Sequence, residues 1–154
     1  MLRIYNLIEK QEYLKEVATL EYLEWGDKVN TKEELELKIN KKVKKITDNF
    51  SNPYFCKLIL LDDNILIGFI SLFEFDGDLR KDLKPWYATM YVKKEYRSKG
   101  YSKILNDAIL KEAKVRNFKR VYLKSELDNY YEKFGAIYLG KMKNGEKLYY
   151  IDIK

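Results

Sequence analysis

The sequence contains no histidine and a single cysteine, Cys56, among its 154 residues. Without histidine, nucleophilic catalysis of the Ser-His-Asp and Cys-His types is excluded, and so are metal sites with the usual histidine ligands. A lone cysteine excludes an intramolecular disulfide and a cysteine-rich zinc site. Any proton transfer must therefore use carboxylates, tyrosine, lysine, the thiol or water, and we expect no metal.

Glycine and proline are also scarce, with 7 and 2 residues, which excludes collagen-like and proline-rich chains. No linker, repeat or low-complexity block divides the sequence, so we expect one domain over residues 1–154. The most apolar stretch, residues 65–73, is too short to span a bilayer, and the charged N-terminal residues do not resemble a secretory signal. We therefore expect a cytoplasmic protein with no membrane partner.

Apolar and basic residues are abundant instead. Hydrophobic residues make up 46% of the chain, enough for a packed core and too many for intrinsic disorder. The formal net charge of +6 suits an anionic partner such as a nucleotide, RNA or a phosphorylated cofactor. Because the charge is spread along the chain and no nucleic-acid-binding motif is present, we do not expect a nucleic-acid partner.

The N-terminal third predicts one strand and two helices. Leu2 and Ile4 suit a first strand that could extend to Ile8, and apolar residues at helical spacing predict a helix from about 10 to 24. Thr31 followed by Glu34 is the pattern of a capping box, in which each side chain satisfies a free amide at a helix start. A second helix is therefore predicted from that point to about Asn52.

The remaining sequence predicts mainly strands. Two apolar runs, 55–61 and 65–75, flank a polar turn and predict a β-hairpin. Pro85 cannot donate to a strand ladder and marks the start of a strand over 86–92. The later predicted elements are a helix after Gly100, a strand over 119–123, a short helix ending near Phe134, and a hairpin pairing 136–142 with 147–153 around Asn144-Gly145.

The segment 92–102, between a predicted strand and a predicted helix, carries the clearest functional signal. A glycine-containing turn that opens a helix presents unpaired amide N–H groups at the positive helix end, which is a favourable anion site. Neither a Walker A loop nor a Rossmann fingerprint is present. The segment indicates either a phosphate site or an ordinary charged loop with a tight turn. Its basic residues, with one from the helix, are Lys93, Lys94, Arg97, Lys99 and Lys103.

These residues resemble a known family. The run Arg97–Ser102, RSKGYS, is similar to the [RQ]-x-x-G-x-[GA] motif of the GNAT superfamily N-acetyltransferases, with the small residue Ser102 in place of Gly or Ala. Residues 85–92 resemble the central strand of that family and 130–136 its late Tyr-x-x-x-Gly segment. The resemblance covers the whole chain and implies an α/β fold: a mixed, twisted sheet of about seven strands with about four helices on both faces.

The resemblance also implies acetyl-CoA as the co-substrate. The amides of Arg97, Ser98, Lys99, Gly100, Tyr101 and Ser102 would hold its pyrophosphate. The backbone of Met90, Tyr91 and Val92 would pair with the pantetheine arm in the manner of an added strand. A backbone N–H at this position would also polarise the thioester carbonyl.

Two catalytic roles follow from the resemblance and from the missing histidine. Tyr131 matches the family tyrosine that protonates the leaving thiolate, with Tyr130 as the competing assignment. A carboxylate is the expected base for the acceptor amine, with Glu74 the first candidate and Asp76 the second. Alternatively, these carboxylates belong to a solvated acidic loop, which as a group could still attract a cationic amine.

The function predicted is transfer of an acetyl group to a primary amine of a small molecule or peptide, by direct attack in a ternary complex. The alternatives are a non-catalytic acyl-CoA-binding or sensing module and, ranked last, a basic nucleic-acid-binding domain. Cys56 lies in an apolar strand pattern and is expected to be inert packing. Trp25 and Trp86 are expected in the aromatic core, with the lining of an acceptor pocket as the alternative. A monomer and a homodimer are both compatible with the sequence.

Overall fold

A computed structural model describes all residues, 1–154. The strands are β1 (Leu2–Asn6), β2 (Cys56–Asp62), β3 (Ile65–Phe73), β4 (Trp86–Val92), β5 (Arg120–Ser125), β6 (Ile137–Lys141) and β7 (Lys147–Asp152). The helices are α1 (Leu14–Trp25), α2 (Lys32–Asn49) and α3 (Tyr101–Val115). All seven strands form one sheet in the order β1-β2-β3-β4-β5-β7-β6. Every neighbouring pair is antiparallel except β4 and β5, which are parallel.

The sheet is covered on both faces, as predicted. Successive side chains of a strand point to opposite faces, so Leu58 and Leu60 of β2 pack in the core beneath α3 while Ile59 and Leu61 pack beneath α1 and α2. Strands buried on both faces explain the near-continuous apolar runs of β2 and β3. None of the helices combines the length and the apolar character that crossing a membrane requires.

The first predicted strand and helix differ from the structure at their junction. The strand ends at Asn6, whose Oδ1 accepts a hydrogen bond from the backbone N–H of Ile8 at 3.2 Å and starts a 3₁₀ turn over Leu7–Glu9. A second 3₁₀ turn follows over Gln11–Tyr13. The strand ends at Asn6 because its side chain competes with the strand ladder for the backbone. The predicted helix of about 10–24 begins as this second 3₁₀ turn and becomes α-helical only at Leu14.

The predicted capping box forms in part. Thr31 Oγ1 accepts from the Glu34 backbone N–H at 3.0 Å, as predicted. The Glu34 carboxylate, however, accepts from the N–H of Asn30 at 3.1 Å and not from that of Thr31. The carboxylate thus bonds Asn30, the residue before the N-cap, and α2 still begins where the sequence pattern predicts.

The helix count is the other difference. The sequence predicts about four helices, and the structure has three α-helices. The fourth is a single 3₁₀ turn over Tyr131–Phe134, because Gly135, with φ +91°, ends it after four residues. This short turn carries the predicted catalytic tyrosine.

Candidate active site

A cleft opens where the two parallel strands of the sheet separate. The ladder between β4 and β5 contains one residue pair, Trp86 with Tyr122. Both strands continue past it without pairing, so they diverge and leave a space of about 1570 Å³. The ends of β3, β4 and β5, the start of α3, and parts of α1 and α2 line this cleft. The largest well-formed cleft is the default place to expect a ligand, and this one is larger than a typical small-molecule pocket.

A bulge interrupts β4 beside the cleft. Phe69 of β3 pairs with Tyr91 of β4, and Ser71 of β3 pairs with Ala88 of β4. The two residues of β3 are two positions apart, whereas their partners on β4 are three positions apart. One extra residue therefore lies on β4. Thr89 within this stretch has φ +49°, a left-handed conformation that β-branched residues rarely adopt.

The bulge changes which way the side chains of β4 point. Tyr87 and Tyr91 are four residues apart and would share a face in a regular strand. Instead, Tyr87 packs in the core beneath α3 and Tyr91 packs against the α1 and α2 core. The bulge thus reorients the backbone of Met90, Tyr91 and Val92 relative to the start of the strand.

The motif segment, residues 97–102, forms a tight turn that leads into α3, and we call it the anion turn. Ser98 and Gly100 have φ of +64° and +84°, and Gly100 is the residue immediately before the helix. The first amides of a helix have no partner within it and point outwards. A Cβ on Gly100 would meet no protein atom within 4 Å, so the residue leaves open space beside these amides. Small size and exposed N–H groups are what a pyrophosphate needs.

Several basic side chains around the anion turn are occupied elsewhere. Arg97 Nε donates to the carbonyl oxygen of Val92 at 2.8 Å, and its guanidinium lies 5.5 Å from the ring centre of Tyr91. Lys93 pairs with Glu16 and Lys103 with Asp107, each at 2.8 Å. Two of the five predicted basic side chains are therefore in ion pairs and Arg97 is bonded to a backbone carbonyl, whereas Lys94 and Lys99 are in no ion pair. An anion at this turn would also meet the backbone amides and the positive end of α3.

Tyr131 and Tyr130 both line the cleft from the 3₁₀ turn. The ring of Tyr131 stands edge-on to that of Tyr130, with centroids 4.8 Å apart. Burial, followed by the effect of Tyr130, raises the pKa of Tyr131 to about 12. Its phenol therefore keeps its proton throughout the physiological range and can serve as an acid.

Sequence reasoning missed a hydrogen-bonded pair, Tyr87 and Asn106, and the ring of Tyr87 packs edge-on against that of Tyr131. Tyr87 OH donates to Asn106 Oδ1 of α3 at 2.7 Å, and both residues are buried. Burial raises the pKa of Tyr87, so its hydroxyl remains a donor. The signal in the sequence is the polar Asn106, which lies beside Leu105 and Ile109 on the buried face of α3.

The carboxylates Glu74 and Asp76 also line the cleft. Glu74 Oε1 accepts from Asn52 Nδ2 at 3.2 Å. Burial raises the pKa of Asp76, and Lys124, with Nζ 3.9 Å from Asp76 Oδ1, opposes that rise only in part. A raised pKa makes Asp76 a stronger base than an ordinary aspartate, which suits proton abstraction.

The rest of the acidic loop stays outside the cleft. Asp78 has a side chain that is 98% exposed, and Asp82 is held by Arg80 through two hydrogen bonds of 3.0 and 2.9 Å. Glu74 follows Phe73, which pairs with Trp86 at the beginning of β4. At about 3.3 Å per residue, Trp86 lies roughly 10 Å along β4 from Thr89, so Glu74 lies beside the start of β4 and not beside the bulge. Glu74 and Asp76 therefore mark the end of the cleft opposite the anion turn, which we call the acceptor end.

A buried ion pair behind β4 was also missed by sequence reasoning. Lys57 has no exposed surface, and its Nζ lies 2.8 Å from Glu21 Oε1 and 2.6 Å from Ser71 Oγ. Burial acts to raise the pKa of Glu21, but Lys57 and, to a smaller extent, Lys42 more than offset it, so this pKa lies below its usual value. Lys57 interrupts the apolar run of β2, and Glu21 lies on the apolar face of α1. A charged residue within each of these two apolar patterns is the only sign of the ion pair in the sequence.

The other residues singled out in the sequence, Cys56, Trp25 and Trp86, differ in burial. Cys56 is buried, and burial raises the pKa of its thiol to about 12, which fits inert packing. Trp86 is fully buried in the core, as expected. The expectation for Trp25 is wrong: its side chain is 50% exposed and lines the cleft, edge-on to Tyr91 at 6.3 Å between centroids. No group of three or more histidine, cysteine or carboxylate side chains converges as a metal site requires.

Comparisons with known proteins agree with this architecture. The sequence profile of the Acetyltransferase (GNAT) family matches residues 12–136. The chain therefore belongs to the GNAT acetyltransferase family, and its enzyme class is that of the N-acetyltransferases. No protein among curated sequences matches this chain significantly.

Solved structures share the fold over the full length. The PaiA N-acetyltransferase of Thermoplasma acidophilum, solved with coenzyme A, has 24% identity and a TM-score of 0.67 over 99% of each chain. An aminoglycoside 6'-N-acetyltransferase, also solved with coenzyme A, has 17% identity and a TM-score of 0.73 over 99% of this chain and 97% of that one. An N-acetyltransferase from Staphylococcus aureus Mu50 has 16% identity and a TM-score of 0.74 over 100% and 99%. At these identities the likeness establishes the fold.

Proposed function

We propose that this protein transfers an acetyl group from acetyl-CoA to a primary amine by direct attack within the cleft. The observation that carries the proposal is the juxtaposition of the anion turn with the diverging edge of β4, at one end of a cleft with carboxylates at the other end. Two solved relatives of this fold contain coenzyme A. Acetyl-CoA supplies the activated acyl group, and the residues of the chain bind, orient and move protons.

The anion turn is suited to a pyrophosphate on structural grounds. Gly100 provides open space at its Cβ position next to the free amides of α3. The hydrogen bond from Arg97 to Val92 ties the turn to β4 at 2.8 Å, so both parts of the site keep a fixed relationship. We assign coenzyme binding to the backbone of residues 97–102, with Ser102 small enough for close approach.

β4 presents the backbone needed to orient an extended ligand. Beyond the pair of Trp86 with Tyr122, the side of β4 that faces β5 has no strand partner. A pantetheine arm has amide groups that can add to such an edge as a short strand would. Tyr91 pairs with Phe69 in a hydrogen-bonded position, so its N–H faces β3. The N–H groups of Met90 and Val92, which alternate with it, are then the donors placed to polarise a thioester carbonyl.

Tyr131 is assigned as the general acid. A thiolate is a better leaving group when it is protonated as it departs, and a phenol with its pKa raised to about 12 holds its proton at neutral pH. The edge-on contact with Tyr87 and the bond from Tyr87 to Asn106 fix the ring. Tyr130 lines the same cleft and is the matched alternative.

The base is assigned to the acceptor end. An amine with a pKa of about 10.4 is neutral in only one molecule in a few thousand at pH 7, so proton removal has to be assisted. Asp76, with its raised pKa, and Glu74 are the carboxylates that line this end. Either would act directly on a long acceptor or through a water molecule on a short one.

The experiment is an amine panel with acetyl-CoA, read by release of the free thiol. Polyamines, aminoglycosides, amino acids and peptides with free N-termini should be included, with coenzyme binding measured separately by calorimetry. Thiol release that depends on an added amine supports the proposal. Tight coenzyme binding without turnover on any amine would instead identify a non-catalytic acyl-CoA-binding module.

A further inference from the structure

Four polar side chains are in contact behind the bulge of β4, and we call them the buried polar network: Glu21, Lys57, Ser71 and Thr89. Lys42, which lines the cleft, also pairs with Glu21, at 3.6 Å. Lys57 and Ser71 have no exposed surface and Glu21 is 3% exposed. Lysine and glutamate are almost never fully buried unless they are paired. A charged network placed between a sheet and α1 therefore needs an explanation beyond packing.

The directions of the hydrogen bonds follow from the chemistry of the groups. Lys57 has only donors, so Ser71 Oγ, at 2.6 Å, accepts from it. The hydrogen of Ser71 is then directed to Thr89 Oγ1, 2.6 Å away, because Lys57 offers no acceptor. Thr89 Oγ1 also accepts from Lys57 at 3.4 Å, and Glu21 Oε1 accepts from Lys57 at 2.8 Å. Every hydroxyl and carboxylate in the network has a partner.

The network is anchored to one strained position. Thr89 has φ +49°, which is unfavourable for a β-branched residue and persists only where surrounding contacts hold it. Two of those contacts are the hydroxyl of Ser71 and, at 3.4 Å, the ammonium of Lys57. The residues that follow on β4, Met90 and Tyr91, take their orientation from this bulge.

We propose that Lys57 is a positioning residue for acetyl transfer, acting through Ser71 on Thr89 to hold the bulge that aims the β4 amides into the cleft. This inference rests on the proposed function, since those amides are assigned to the thioester carbonyl. A buried ion pair adds little net stability compared with apolar residues of similar size. Its value here is geometric, because misplacing a reacting group by about 1 Å can lower a rate by up to ~100-fold.

The most informative variant is Ser71→Ala. It removes the bridge through Ser71 and leaves Lys57 with only the longer 3.4 Å contact to Thr89, while the Lys57–Glu21 ion pair stays intact. Lys57→Met would instead strip Glu21 of its nearest partner and unfold the protein more readily. We expect kcat to fall about 10-fold, within the range for a misplaced reacting group. The Kd for coenzyme, measured by calorimetry, should change less than about twofold, since the anion turn is untouched.

A conservative pair at Thr89 separates the hydroxyl from the shape of the side chain. Thr89→Val keeps the branched shape and should reproduce the fall in kcat, whereas Thr89→Ser keeps the hydroxyl and should retain most of the activity. Thr19→Ala is the control, because the Thr19 hydroxyl bonds only to Lys15 O within α1. An unchanged kcat in Ser71→Ala and Thr89→Val would overturn the positioning role and leave the network as structural.

A second readout keeps this inference separate from the proposed function. If the parent protein binds acetyl-CoA but acetylates no amine, acetyl transfer fails as a function. The backbone amide resonances of Met90 and Val92 still test the positioning role in that case. We expect acetyl-CoA to shift them in the parent protein and to shift them much less in Ser71→Ala. Equal shifts in both proteins would overturn the role of the network.

Discussion

The ring of Tyr131 stands edge-on against the ring of Tyr87, with centroids 6.0 Å apart and planes at 86°. Aromatic rings favour this arrangement because the positive edge of one meets the negative face of the other. Tyr87 is in turn fixed by its hydrogen bond to Asn106 of α3. The proposed acid is therefore tied, through two contacts, to the same helix that begins at the anion turn.

The first prediction concerns the hydroxyl of Tyr131. Tyr131→Phe keeps the ring and its contact with Tyr87, so stability should hardly change. We expect kcat to fall at least ~10-fold, since general acid catalysis typically contributes ~10²–10⁴-fold and water can substitute in part. Steady-state kinetics with a known amine checks this. Tyr130→Phe is the control, and a larger loss there would assign the acid to Tyr130.

The second prediction concerns the ionisation of Tyr131. Burial raises its pKa to about 12, above the usual ~10 for tyrosine. Ionisation of this phenol should therefore not limit activity until the pH is well above 10. Ultraviolet titration of the parent protein and of Tyr131→Phe measures the difference directly. A tyrosine that titrates near 10 and disappears in the variant would contradict the buried site.

The third prediction concerns the anion turn. Gly100→Val places a branched side chain beside the free amides of α3 at φ +84°, and coenzyme affinity should fall by at least ~10-fold. Gly145→Val is a matched control, because Gly145 has φ +89° and similarly open space in the hairpin between β6 and β7. Both variants should lose stability through backbone strain, but only Gly100→Val should lose coenzyme binding by calorimetry.

The fourth prediction concerns the acceptor end. A base works only when deprotonated, so activity that depends on Asp76 should fall as the pH drops through its raised pKa. Asp76→Asn should lower kcat and leave coenzyme affinity nearly unchanged, with Glu74→Gln tested beside it. Asp78→Asn is the control, as that side chain is 98% exposed. Unaltered pH profiles in both cleft variants would leave the carboxylates without a role in proton removal.

The fifth prediction concerns the stability of the buried ion pair. Lys57→Met leaves the Glu21 carboxylate buried without its main partner, which typically costs about 3–5 kcal/mol. The double variant Lys57→Met with Glu21→Leu removes both charges and should recover most of that loss. Denaturant unfolding measures the free energy of each protein. Additive losses in the double variant would contradict the coupling of the two residues.

The sequence predicts the bounds of β4 correctly but does not predict the bulge within it. The apolar pattern after Pro85 predicts a strand over 86–92, and β4 has the same bounds. The bulge depends on how Ser71 and Phe69 of β3 pair with β4. A bulge is defined by which residues of two strands lie opposite each other, and the residues next to Thr89 do not contain that information.

The side-chain partners show the same division. Thr31 and Glu34 lie three residues apart, and the bond from the Glu34 N–H to the Thr31 hydroxyl is predicted correctly, although the Glu34 carboxylate bonds the N–H of Asn30. Glu21 and Lys57 are separated by 36 positions and meet only because α1 packs on the sheet. Each is visible as a charge on an apolar pattern, but the pattern cannot say that the two charges meet. Trp25 is misassigned to the core for the same reason, because the cleft that exposes it arises from the divergence of β4 and β5.

The most direct test of the account follows the acetyl group itself. The protein is incubated with isotopically labelled acetyl-CoA and an amine that stimulates thiol release, and mass spectrometry locates the label. Direct transfer in the cleft predicts one labelled acetyl group on the amine for each thiol released, none on Cys56 or any other residue, and loss of both signals in Gly100→Val. Label that accumulates on the protein before reaching the amine, or thiol release without a labelled amine, would contradict it.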